Sequence, residues 1–168
     1  MHEGTIYNFD VEQLNGEKAS LEKFRDKVLL IVNTASQCGF TPQMADLVEL
    51  KKAMAGKDFE ILAFPSNDFG NQEPLEGNGL HAFCEKFDAN FPMFNKMRVR
   101  GPYADPLFKF LSDKKQNGKV GAAPKWNFHK YLIDKDGKVR DFFYPFTKPN
   151  TTKVKKKIEQ LLNQPVSL

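Results

Sequence analysis

The run Val28-Leu29-Leu30-Ile31-Val32 is the feature that most constrains the fold. Continuous apolar residues with no alternation predict a strand buried on both faces, and such a strand needs a packed layer on either side of its sheet. Downstream, Pro42 sits where a first helical turn tolerates it, ahead of Met44, Leu47, Val48 and Leu50 at helical spacing, and Gly56 supplies a stop. Phe59 to Phe64 (FEILAF) then reads as a second strand. A strand, helix, strand unit of this kind crosses over so that its two strands run parallel, which places the chain in the α/β class.

The flanking segments complete a central mixed β-sheet flanked by helices. Thr5 to Leu14 with the Asn15-Gly16 pair predicts a small hairpin or edge strand. Short helices are expected over Leu80 to Phe87 and Pro106 to Leu111, the second with Asp105 at its N-cap. Phe128 to Ile133 and Val139 to Phe143, separated by Asp134-Lys135-Asp136-Gly137, predict a hairpin, so the sheet contains antiparallel as well as parallel pairs. Thr151 to Leu162 places Val154, Ile158, Leu161 and Leu162 on one helical face and Lys153, Lys156 and Gln160 on the other. With 168 residues, 16 Phe and no repeat or linker, a single domain over residues 1–168 is expected.

Charge and cysteine usage narrow the function. The formal charge is +4, with a lysine-rich stretch over Lys148 to Lys157. No aromatic residue interleaves those lysines, so they are expected to be a solvated helix face, and no nucleic-acid partner is expected. Met1 to Asp10 lacks the apolar core of a signal peptide and no window approaches a membrane span, so a cytoplasmic chain without stable membrane insertion is expected. Two cysteines cannot build a disulfide framework, and His2, His81 and His129 lack ligand spacing, so neither a metal nor another bound cofactor is expected.

Cys38 falls just beyond the buried strand and just before the helix start, where backbone N–H groups and the positive end of the helix dipole converge. A free cysteine with a pKa of ~8.5 is only about 3% thiolate at pH 7, whereas ~6.5 makes it about 75%. That shift requires ~2.7 kcal/mol of preferential stabilisation. A helix terminus supplies roughly 0.3 to 2 kcal/mol, so further donors are needed for a well-populated thiolate. Cys38-Gly39-Phe40-Thr41 has the spacing of a redox Cys-x-x-Cys motif with Thr41 at the second position, so no local dithiol forms. Oxidised Cys38 either stops at a sulfenic acid or turns to Cys84, the other thiol of the chain; spacing alone favours reading Cys84 as the apolar side of its own helix, beside Phe83 and Phe87.

Three segments, NTASQCGFTPQ (Asn33 to Gln43), LAFPSNDFGNQEP (Leu62 to Pro74) and KWNF (Lys125 to Phe128), resemble the glutathione peroxidase family. FPMF (Phe91 to Phe94) extends the resemblance, which runs in order over nearly the whole chain. The resemblance implies a thioredoxin-like fold in which a reactive cysteine is surrounded by a Gln, a Trp and an Asn, matching Cys38, Gln72, Trp126 and Asn127. These side chains make chemical sense around an anion, because the two amides and the indole all offer N–H donors. The chain departs from the family pattern at Met44, where a Tyr is common, at Ser66, where many members have a third Cys, and at Asp68, where Gln is usual.

The resemblance implies a thiol peroxidase: the Cys38 thiolate attacks a hydroperoxide, water or an alcohol leaves, and Cys38 becomes a sulfenic acid. It also places Cys84, within FCEKFDANFPMF (Phe83 to Phe94), where the thioredoxin-dependent branch carries its resolving cysteine. The expected external reductant is thioredoxin; glutathione acting directly, with Cys84 structural, is the alternative, as is a peroxide sensor that relays its disulfide to a partner protein. The stretch Leu75 to His81 lacks the family's acidic helix start and is one residue short. The short segment between Lys114 and Pro124 lacks the insertion of tetrameric members, which implies a monomer.

Overall fold

The computed structural model describes residues 4–167; His2 and the first residues of the N-terminal segment lie outside the described residues. The apolar run becomes β3 (Val28–Thr34), all of it buried. It pairs in parallel with β4 (Phe59–Pro65) and antiparallel with β5 (Lys130–Ile133), which in turn pairs antiparallel with β6 (Val139–Phe143), giving the strand order β4-β3-β5-β6. A separate hairpin, β1 (Asp10–Glu12) and β2 (Lys18–Ser20), turns at the Asn15-Gly16 pair with Gly16 at φ +87°.

Alternate residues of β3 enter opposite layers, which is why its sequence shows no alternation. Val28, Leu30 and Val32 pack with Met44, Leu47 and Leu50 of α1 (Gln43–Ala53), Leu80 and Phe83 of α2 (Gly77–Lys86), and Val154, Ile158 and Leu161 of α5 (Thr152–Leu162). Leu29 and Ile31 pack on the other face with Leu107, Phe108 and Leu111 of α3 (Pro106–Ser112). Asp105 caps α3 by accepting from the Leu107 N–H, and Thr151 caps α5 by accepting from Val154. No helix among the described residues is long and apolar enough to cross a membrane.

Two boundaries and one short helix differ from the sequence reading, each for a local reason. Strand β5 starts at Lys130 because Phe128 sits at φ +68°, outside any strand conformation. Helix α2 begins at Gly77, three residues before the apolar positions that announce it, and Glu76 gives it no side-chain cap. The one-turn α4 (Lys114–Asn117) was too short to show a period, yet Asn117 is buried, donating to the carbonyls of Phe110, Leu111 and Val120. The outer edge of β4 is covered in part: Ala63 exchanges hydrogen bonds with Pro92 and Phe94, a parallel bridge centred on Met93.

Candidate active site

Cys38 lies in the loop between β3 and α1, at the edge of the core and 9% exposed. Its Sγ accepts the Phe40 backbone N–H at 3.3 Å. The loop is held by the Thr41 hydroxyl, which accepts the Cys38 N–H at 2.9 Å and donates to the Ala35 carbonyl at 2.8 Å. The first amides of α1 are already engaged, Gln43 on Phe40, Met44 on Thr41 and Ala45 on Pro42. The expected convergence of unpaired helix N–H groups on the sulfur therefore reduces to one loop amide, because a tight turn satisfies the others before the helix begins.

The structure brings Gln72, Trp126 and Asn127 together and ties them to this loop. The Gln37 N–H donates to the Gln72 carbonyl at 3.0 Å, joining the residue before Cys38 to the Gln72 loop. Asn127 is fully buried and donates from Nδ2 to Gln72 Oε1 at 2.9 Å, while its own Oδ1 is buried with no hydrogen-bond partner. Trp126 packs on Phe69 with ring centroids 5.4 Å apart and against the core cluster that contains Cys38. Gly70, at φ +64°, lets this ring close in: a Cβ there would lie 3.2 Å from the indole and 3.5 Å from Gln72 Cδ. One Asn127 N–H is thus committed to Gln72 Oε1, and this bond leaves the Gln72 Nε2 donors unused.

Sequence reasoning passed over four residues that shape this site. Asn33, which follows the apolar run on β3, donates from Nδ2 to the Trp126 carbonyl at 3.0 Å, and its backbone carbonyl accepts the Phe128 N–H at 2.6 Å. It holds Phe128 in the left-handed region, a conformation that costs a bulky residue on the order of 1–3 kcal/mol. Lys130, fully buried, donates to the Phe128 carbonyl at 2.6 Å and the Pro145 carbonyl at 3.2 Å, and burial lowers its pKa to about 7. Glu73 is buried and accepts from the Ser36 hydroxyl at 2.8 Å; burial raises its pKa. Thr41 entered the sequence reading only as a missing thiol. The available signal was polarity itself: an Asn and a Lys inside strands that are otherwise apolar need partners.

Cys84 sits near the end of α2, half-buried, its Sγ 3.3 Å from Met93 Sδ, and burial pushes its pKa up to about 11. A surface hollow beside it is lined by Leu14, His81, Phe91 and Met93. Both cysteines are free thiols. Among the described residues no cluster of three or more His, Cys, Asp or Glu is placed to hold a metal ion.

Comparison with known proteins gives this geometry a lineage. Residues 6–112 match the family model described as glutathione peroxidase, a span that includes Cys38, Gln72 and Cys84 and ends before Trp126. The chain is 45% identical over 159 residues to the glutathione peroxidase homolog BsaA of Halalkalibacterium halodurans, covering 94% of this chain and 99% of that protein. A crystal structure of Trgpx in its apo form matches with a TM-score of 0.77 at 34% identity, over 97% of this chain and 99% of the other. The thioredoxin-family thiol:disulfide interchange protein of Chlorobium tepidum TLS matches with a TM-score of 0.66 over 96% of this chain and 97% of that one, at 14% identity. That likeness concerns the fold alone, which is thioredoxin-like. The chain belongs to the glutathione peroxidase family, and its enzyme class is peroxidase.

Proposed function

We propose that this peroxidase works through Cys38: the thiolate attacks the terminal oxygen of a hydroperoxide, the O–O bond breaks, the departing alkoxide takes a proton and leaves as water or alcohol, and Cys38 is left as a sulfenic acid. The observation that carries this reading is the Phe40 amide on Cys38 Sγ in a loop bonded through Gln37 to Gln72. An N–H donor meets a thiolate better than a thiol. Gln72 and Trp126 supply the donors beyond that amide, and Asn127 sets Gln72 in place.

Cys84 is the resolving residue in this reading. Its thiol condenses with the sulfenic acid, forming the S–S bond and releasing water, and thioredoxin then reduces the disulfide. Disulfide geometry needs Cα atoms within about 7 Å, and in this reading α2 unwinds to deliver Cys84. The start of that helix is weakly held: Gly79 lies in its first turn, where glycine costs up to about 1 kcal/mol relative to Ala, and its N-cap lacks a side-chain bond. Mass spectrometry after one equivalent of peroxide is expected to show a Cys38 to Cys84 disulfide; a lasting sulfenic acid with free Cys84 would refute resolution.

A glutathione-dependent cycle is the second reading, favoured by the protonated, half-buried state of Cys84 against Met93. NADPH-coupled assays with thioredoxin and with glutathione separate the two. Turnover with thioredoxin that is lost in Cys84→Ser supports the first; turnover with glutathione that survives this substitution supports the second.

A further inference from the structure

Lys130 presents a chemical mismatch with its surroundings. Its side chain is fully buried on β5, and among the described residues no carboxylate lies within ion-pair distance of it. Its Nζ faces three backbone carbonyls: Phe128 at 2.6 Å, Pro145 at 3.2 Å and Tyr144 at 3.5 Å. An ammonium has three N–H donors and no acceptor, so the charged form matches this cage, whereas a neutral amine turns a lone pair toward one of the carbonyls.

Two of these carbonyls, those of Phe128 and Pro145, lead back to the site. Phe128 directly follows Trp126 and Asn127 and holds φ +68°, so the direction of its carbonyl reports the turn that orients both. Pro145 also accepts from Gln43 Nε2 at 2.7 Å, and Gln43 is the first residue of α1, reached directly from the Cys38 loop. Among the described residues, Lys130 is therefore the one side chain bonded both to the Trp126-Asn127-Phe128 turn and to the carbonyl that anchors the start of α1. We propose that Lys130 is a positioning residue for the peroxidatic site: its ammonium locks the left-handed turn at Phe128 that sets Trp126 and Asn127, and loss of the ammonium proton releases that setting.

The inference rests on the reading of Cys38, Gln72, Trp126 and Asn127 given above. Burial lowers the Lys130 pKa to about 7, against the opposing field of Asp46 on α1, so the lock opens in the neutral range as pH rises. The other titratable groups around it are His129 next in sequence, whose pKa is lowered to about 4, and the Tyr144 phenol on the Pro145 turn. His129 is neutral throughout this range.

Trp126 is the only tryptophan, so its emission reads the turn directly. The test follows Trp126 emission against pH in the Cys38→Ser protein, which removes any response to the Cys38 thiol, with and without Lys130→Met, circular dichroism confirming the fold. A transition near pH 7 that disappears in the Lys130→Met protein is expected. In the Cys38 protein, Lys130→Met should slow oxidation by hydrogen peroxide about tenfold in stopped flow. Wild type should lose rate on the alkaline side near pH 7, and Lys130→Arg, charged throughout, should keep it. Emission that is flat across neutral pH in Cys38→Ser overturns the proposal even if Lys130→Met does not fold. So does a Lys130→Met protein whose rate and pH profile equal those of wild type. A wild-type protein that does not react with peroxide refutes the functional reading instead, and the emission arm still decides the role of Lys130.

Discussion

Asn127 Nδ2 donates to Gln72 Oε1 at 2.9 Å, joining side chains 55 positions apart in the sequence. The bond fixes which way the Gln72 amide faces: with Oε1 engaged by Asn127, Nε2 is the end left to donate elsewhere. Asn127→Ala is expected to free that rotation and slow Cys38 oxidation about a hundredfold, the usual effect of losing one preorganised donor. Gln72→Ala should cost a similar factor, and the double variant little more, because the two act as a unit. Stopped-flow rates with hydrogen peroxide for the four proteins of this cycle check it; additive losses would show that the residues act separately.

Thr41 serves the Cys38 loop through its hydroxyl, not its methyl group. Thr41→Val keeps the shape but strands the Cys38 N–H and the Ala35 carbonyl, both inside the protein. A loss of about 2 kcal/mol in urea unfolding is expected, together with slower peroxide reduction. Thr41→Ser retains both bonds and should stay close to wild type in rate.

Gly70→Ala forces a side chain into a φ of +64° and brings a Cβ to 3.2 Å from the Trp126 ring. Backbone strain alone should cost about 1 kcal/mol. The indole must also move, so a shift in tryptophan emission and a fall in peroxidase rate should accompany the lower denaturation midpoint. A stability loss with unchanged emission and rate would detach Gly70 from the site.

His129 gives the protein an acid-sensitive core. Both its ring nitrogens are buried without hydrogen-bond partners among the described residues, the ring stacks on Phe142 at an interplanar angle of 11°, and burial lowers its pKa to about 4. The folded state excludes the proton that the unfolded chain takes up with a pKa of ~6.5. The stabilisation is thus complete above about pH 6.5 and is lost as pH falls through 4, at a limiting slope of about 1.4 kcal/mol per pH unit. His129→Phe should flatten this acid limb in chemical denaturation measured at a series of pH values.

Cys84 should be sluggish toward alkylating agents in the reduced protein. With its pKa pushed up to about 11, the thiolate is scarce at neutral pH, and the iodoacetamide rate should climb until the pH passes that value. Peptide mapping distinguishes Cys84 labelling from that of Cys38. Labelling of Cys84 that levels off near pH 8.5 would mean that the burial seen here does not persist in solution.

The sheet was legible because burial leaves a plain mark on composition. The runs at Val28 and Phe59 announced adjacent parallel strands, and the Asp134 to Gly137 turn announced the β5–β6 hairpin, where Asp134 Oδ1 takes the N–H groups of Asp136 and Lys138. What stayed hidden were features carried by backbone sign and polar pairing. Nothing in the apolar pattern of Phe128 to Ile133 shows that Phe128 turns left-handed. Gly77-Asn78-Gly79 reads as loop because its residues disfavour helix, and packing of Leu80 and Phe83 overrides that preference. The motifs single out Cys38, Gln72, Trp126 and Asn127 as candidates, whereas the direction of the Asn127 amide is carried only by the fold.

The bridge from Ala63 to Pro92 and Phe94 has a kinetic side. Together with the Leu75 N–H on Glu73, it pins the chain on both flanks of α2 to parts of the molecule that hold the site and the sheet. Cys84 is thereby kept on a short tether. In the cycle proposed above, its encounter with oxidised Cys38 would be governed by local effective concentration and not by diffusion of a second molecule, because opening α2 would leave the β4 bridge in place and give the thiol a bounded volume to search.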